Sequence, residues 1–159
     1  MPVPTRRLRS VLTAAAVLAT GEVVADDRTS QRVQRGESVL TELNNGARQP
    51  VFDAMRRDFP FLAEGVAGYA LGDVWGRPTL DVRTRQLAAM AAFGSMGIRQ
   101  LFRIHAGYAL NAGVPAEELK EIVYLITVTA GFPRAIEASQ TLKELFDERG
   151  IPSEDAGTK

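Results

Sequence analysis

Apolar residues recur every three to four positions along most of this chain, the period of helices that each bury one stripe. Val33, Leu40 and Leu43 fall on one side of a first helix near residues 35–43, with Gly36 weakening its start and Asn44-Asn45-Gly46 ending it. Pro50 suits the first turn of a second helix, which carries Val51, Phe52 and Met55 and yields at Phe59-Pro60. Residues 61–75 predict a third helix despite Gly65, Gly68 and Gly72, each costing about 1 kcal/mol relative to alanine. Glycines at that spacing lie near one face, where they allow close packing or leave room for a ligand.

Gly76-Arg77-Pro78 breaks the chain, and Asp81 is placed to cap the helix that follows. That helix runs to about Met96 with Leu87, Met90, Ala91 and Gly94 at helical spacing, and its many alanines predict that most of it is buried. After Gly97, a stripe of Ile98, Leu101, Phe102, His105, Tyr108 and Ala112 puts the histidine on an apolar face. Pro115 opens a helix with Glu117 and Glu118 in its first turn, favourable for the dipole. Its β-branched continuation over 122–129 also reads as a buried strand. The acidic start and the lack of a partner strand favour helix, and a helix apolar nearly all round predicts a subunit interface. Pro133 opens the last helix, over 135–149, and Gly150 ends it. The fold class is all-α, a compact bundle of about six helices.

Length and composition narrow the function. The chain's 159 residues suffice for one domain with a core, and the formal net charge is zero. No basic field points to nucleic acid. Cysteine is absent and histidine occurs once, which removes thiol chemistry and makes a metal site built by one chain improbable on ligand count. The start differs in character. Arg6-Arg7 precedes the short apolar run of residues 11–19, and Val23-Val24-Ala25 offers a cleavage point before Asp26. Residues 1–25 thus read as a twin-arginine-type signal segment, against the alternative of a cytosolic N-terminal helix. Processing would place the protein in the periplasm or outside the cell; without it the protein is cytoplasmic. Residues 26–34 read as a linker, 35–150 as the domain and 151–159 as a disordered tail. No membrane span is expected, because the apolar run is too short.

Candidate chemistry concentrates between Tyr69 and Gly113, which holds the single Trp75, the single His105, and Arg77, Arg83 and Arg85 within nine residues. The run W-G-R-P-T-L-D-V-R-T-R (75–85), then His105, then A-L-N-A-G-V-P-A-E-E-L-K-E-I (109–122), then A-G-F-P-R-A (130–135) resembles the carboxymuconolactone decarboxylase family, within the alkylhydroperoxidase D-like superfamily. The resemblance covers roughly residues 36–149. It implies an all-helical fold that assembles as a ring, a homotrimer or homohexamer. The peroxidase branch of that group uses a glutamate, a CxxC pair and a histidine; the matching positions here are Gln86, Ile98, Leu101 and His105. With neither sulfur nor carboxylate, that cycle is excluded, and the cysteine-less decarboxylase-type branch remains.

Loss of CO2 from a carboxylated lactone leaves a dienolate that must be stabilised and protonated. The resemblance therefore implies a small organic acid or lactone as partner, His105 as a proton donor with pKa near neutrality, and Arg83 or Arg85 as a carboxylate clamp. Tyr69, Trp75 and Tyr108 would line the pocket, and no metal or organic cofactor is required. Two competing readings stand beside these. His105 is a core residue satisfied by hydrogen bonding, and the arginines are structural, bridging Asp73 or Asp81. In function, the alternative to a carboxy-lyase is a non-catalytic oligomeric binding protein of the same fold.

Overall fold

The computed structural model describes residues 27–152. The expected signal segment and the tail from Ser153 onward lie outside the described residues. All regular structure among the described residues is helical, including the segment 122–129 whose sequence also suits a strand. The helices are α1 (residues 27–43), α2 (Pro50–Asp58), α3 (Pro60–Gly65) running on into a π-helical segment (Val66–Trp75), α4 (Val82–Met96), α5 (Arg99–Asn111), α6 (Ala116–Ala130) and α7 (Phe132–Arg149). No helix among the described residues is long and apolar enough to cross a membrane. The described chain divides into two units, one of residues up to Leu40 with Gln49–Gly76, the other of Thr41–Arg48 with the residues from Arg77 on.

In the first unit, Phe52, Ala63 and Ala67 form a small core with Val33, Leu40, Met55 and Val66 packed against it. The polar stretch expected as a linker is instead helical from residue 27. Tertiary contacts explain this: Arg32 and Arg35 both reach Asp73, at 2.5 and 3.3 Å, and Val33 joins the core. Gly36 is therefore an interior residue of α1 and not its weak start. A Cβ there would lie 1.8 Å from the Ala67 carbonyl oxygen, and one at Gly72 would lie 2.2 Å from the Arg32 carbonyl oxygen. The backbones of α1 and the π-helical segment thus meet where only glycine fits. The helix expected over 61–75 is present but changes hydrogen-bond register partway, from α to the wider π turn.

The second unit holds the larger core. Met90, Phe102, Ala106, Ala109, Leu119, Val123, Ile126, Leu142, Leu145 and Phe146 are all buried. Gly94 lets α4 approach α5 and α6, since a Cβ there would sit 2.4 Å from Ile126 Cδ1 and 3.2 Å from Phe102 Cδ2. Helix α4 buries Gln86, Met90 and Gly94, one narrow stripe, and so is less covered than its alanines suggest. Helix α6 buries Leu119, Val123 and Ile126 while Leu125 and Val128 stand exposed on its other side. At the end of α7, Ile151, expected to begin the disordered tail, donates its N–H to the Phe146 carbonyl at 2.9 Å and packs against the core. The left-handed Gly150 makes that turn.

Candidate functional site

The site begins with a helix cap. Asp81 accepts the backbone N–H of Thr84 at 2.8 Å and its hydroxyl at 2.7 Å, which fixes where α4 starts. These bonds hold the Asp81 carboxyl below its ordinary pKa, the backbone bond most of all. From that start, Gln86 falls on the buried stripe one turn before Met90 and two before Gly94. Gly97 then adopts φ 74°, a left-handed turn open to glycine, and sends the chain back along α4 as α5. His105 thereby comes to face Gln86.

His105 Nδ1 lies 2.7 Å from Gln86 Oε1. The imidazole stacks on Phe93, and Tyr108 meets it edge-on with ring centroids 5.6 Å apart. Gln86 itself is fully buried, and its Nε2 has no hydrogen-bond partner among the described residues. The phenol of Tyr108 accepts a bond from Asn44 Nδ2 at 3.3 Å. Asn111, one turn further along α5, donates to the Leu43 carbonyl at 2.7 Å and accepts from Arg149 Nη1 at 2.7 Å. These side chains anchor the second half of α5.

Burial pushes the His105 pKa down from 6.5 to about 4. The imidazole is therefore neutral at physiological pH, unlike the near-neutral proton donor expected from the sequence. A neutral ring donates through one nitrogen and accepts through the other. Which nitrogen does which depends on the tautomer that the contact with Gln86 selects.

Of the side chains expected at a site, the structure brings His105 and Tyr108 together. The two arginines are engaged elsewhere. Arg85 donates from Nε to the Leu80 carbonyl at 2.9 Å and from Nη2 to the Arg77 carbonyl at 2.6 Å, bracing the turn before α4. Arg83 pairs with Glu118 at the start of α6. Asp73 is held by Arg32 and Arg35, and the Arg32 bond lowers its pKa. Tyr69 and Trp75 belong to the first unit. Tyr69 is 63 % exposed beside a cavity of about 260 Å³ lined also by Arg32, Phe61 and Gly68, and Trp75 is half-buried.

Gln86 and Phe93 are the contacts that residue-type reasoning does not single out as site residues. Position 86 carried a signal nonetheless, because it is where the peroxidase pattern places its glutamate.

Residues 60–144 match the model of the carboxymuconolactone decarboxylase family. Among curated proteins, a 4-carboxymuconolactone decarboxylase of Acinetobacter baylyi is 34% identical over 89 residues, 56% of this chain and 66% of that protein. The match thus spans just under two thirds of that relative's length. A nitrosuccinic acid decarboxylase of Metarhizium robertsii is 30% identical over 135 residues, 79% of this chain and 94% of that protein.

Proposed function

The chain belongs to the carboxymuconolactone decarboxylase family, and from that premise we propose that it is a cofactor-independent carboxy-lyase acting on a small carboxylated lactone or related activated acid. The names of its two relatives describe acids of this kind. In each, an unsaturated carbonyl or a nitro group can take up the electron pair that CO2 leaves behind. The observation that carries the proposal is the half-buried imidazole that Gln86 holds at Nδ1 and that Phe93 and Tyr108 contact.

In the proposed reaction, the substrate carboxylate approaches Nε2 of the neutral His105. Its negative charge favours the imidazolium, so the ring takes a proton from solvent or from the acid as it binds. The C–C bond to the departing carboxylate then breaks, and its electron pair moves into the conjugated carbonyl as CO2 leaves. Nε2–H delivers its proton to carbon, which returns the ring to its neutral state. The apolar walls favour this step, because the carboxylate's charge is dispersed as the bond breaks.

Assembly as a homotrimer or homohexamer completes the reading. It is supported by Leu125 and Val128 on α6 and Phe132 and Ile136 on α7, large apolar side chains that stand exposed close together in sequence.

One observation favours a second reading, a non-catalytic binding protein of the same fold. Both candidate carboxylate clamps, Arg83 and Arg85, already have partners. The experiment that separates the two is CO2 release from a panel of carboxylated lactones and nitro or keto acids. Turnover of any member establishes the lyase; binding without turnover of all members establishes the alternative.

A further inference from the structure

A glutamine is an adaptable neighbour for a half-buried imidazole. Its amide can accept from a ring N–H or donate to a ring nitrogen, and a half-turn of the amide exchanges the two. Each orientation selects one neutral tautomer. With Oε1 toward the ring, the proton is on Nδ1 and the lone pair on Nε2. With the amide nitrogen toward the ring, Nδ1 carries the lone pair and Nε2 the proton. A glutamate could support only the first. Free imidazole side chains in water favour the Nε2–H form, so the orientation seen here works against the intrinsic preference.

We infer that Gln86 is a positioning residue that holds neutral His105 in its Nδ1–H tautomer, so that Nε2 meets the substrate as a proton acceptor before it acts as a donor. Three observations carry this. Gln86 Oε1 and His105 Nδ1 are 2.7 Å apart. Phe93 stacks on the ring and Tyr108 meets it edge-on, which favours the ring plane seen. Gln86 is fully buried and its Nε2 has no hydrogen-bond partner among the described residues, so the bond to His105 is what its amide makes there. The inference depends on the decarboxylase reading only for its catalytic consequence; the tautomer itself does not.

Several charged groups on the helices around α5 have partners of their own. Arg83 of α4 pairs with Glu118 of α6, and Arg85 of α4 holds the carbonyls of Arg77 and Leu80. Arg103 of α5 pairs with Glu148 of α7, and Arg149 of α7 holds Asn111. The bond from Gln86 to the ring is uncharged, and replacing it with a charged one must change the ring's titration.

The chain has one histidine, so a long-range proton–nitrogen correlation spectrum of the ¹⁵N-labelled protein reads this residue alone. At neutral pH it is expected to show a protonated Nδ1 and a bare Nε2. Gln86→Glu is expected to keep that tautomer and raise the ring's pKa by about 1–3 units, as an adjacent carboxylate does. Gln86→Leu, similar in volume and unable to bond, is expected to shift the population toward Nε2–H. A wild-type spectrum with Nε2 protonated overturns the inference, as does a folded Gln86→Leu protein with tautomer and titration unchanged. Should the leucine variant not fold, the wild-type and glutamate spectra still decide. Failure to turn over any acid would sink the lyase and leave the tautomer assignment intact, whereas turnover by a protein with Nε2–H does the reverse.

Discussion

The imidazole of His105 lies nearly parallel to the phenyl ring of Phe93, their centroids 5.2 Å apart and their planes inclined by 23°. Stacking of this kind suits a neutral ring in an apolar interior, and the cost of removing an imidazolium from water is what lowers its pKa to about 4.

That depression has a consequence for stability. The unfolded chain protonates His105 near 6.5 and the folded chain near 4. Between those values the unfolded state binds more protons, so stability falls as pH drops through the window, by up to about 3 kcal/mol. Above the window this residue contributes no slope. Urea unfolding across the range should show the loss in wild type and a flatter profile in His105→Gln. Equal slopes in the two proteins would refute it.

For catalysis, His105→Gln should keep the fold, since glutamine approximates the ring's size. Turnover of a carboxylated acid should fall by about 10²–10⁴-fold, the usual loss for a positioned proton-transfer group. If His105 is only a core residue, turnover per folded molecule stays near wild type while thermal stability drops by about 1–3 kcal/mol. Melting curves and CO2 release measured on the same preparation distinguish the outcomes.

The glycines of the first unit should respond in opposite directions. Gly36→Ala and Gly72→Ala place a methyl 1.8 and 2.2 Å from backbone oxygens and force the helices apart. Each should cost about 3 kcal/mol. At Gly65 a Cβ meets nothing within 4 Å and the backbone is already helical. Gly65→Ala should therefore stabilise by about 0.5–1 kcal/mol. Denaturant midpoints check all three, and similar losses at all three positions would refute the close-contact account.

The exposed apolar side of α6 gives a test of assembly. Leu125→Asp with Val128→Asp changes side chains that are 54% and 84% exposed, so the fold of one chain should be little affected. Light scattering should move from a trimer or larger multiple to monomer while circular dichroism keeps its helical form. A wild-type protein already monomeric at micromolar concentration would remove the proposal.

Much of this architecture was legible in the sequence because its signals are local. Asp81 before Thr84, Pro50, Gly97 and Gly150 mark helix ends through backbone chemistry that needs no distant partner. The apolar stripe that put His105 inward is likewise a matter of spacing. The start of α1 was not legible, because it depends on Asp73, an acid some forty residues on that attracts Arg32 and Arg35. The partners of the arginines were not legible for a related reason. Arg85 is satisfied by main-chain carbonyls, which every residue has and no motif reveals. Position 86 shows the opposite case. A glutamine there means little by composition, yet its hydrogen bond decides which nitrogen of the histidine carries the proton.

The π-helical segment of residues 66–75 bears on chain length more than on side-chain identity. A π turn holds more residues than an α turn over a similar arc, so it can absorb an extra residue without shifting the helix beyond it. Removing one residue between Val66 and Trp75 should tighten the pairing toward the α pattern while Pro60–Gly65 stays as it is. Removing one from α4, where every turn is already α, would rotate all that follows by about 100° and take Gln86 or His105 off the shared face. The same edit is thus a local repair in one helix and a loss of register in the other.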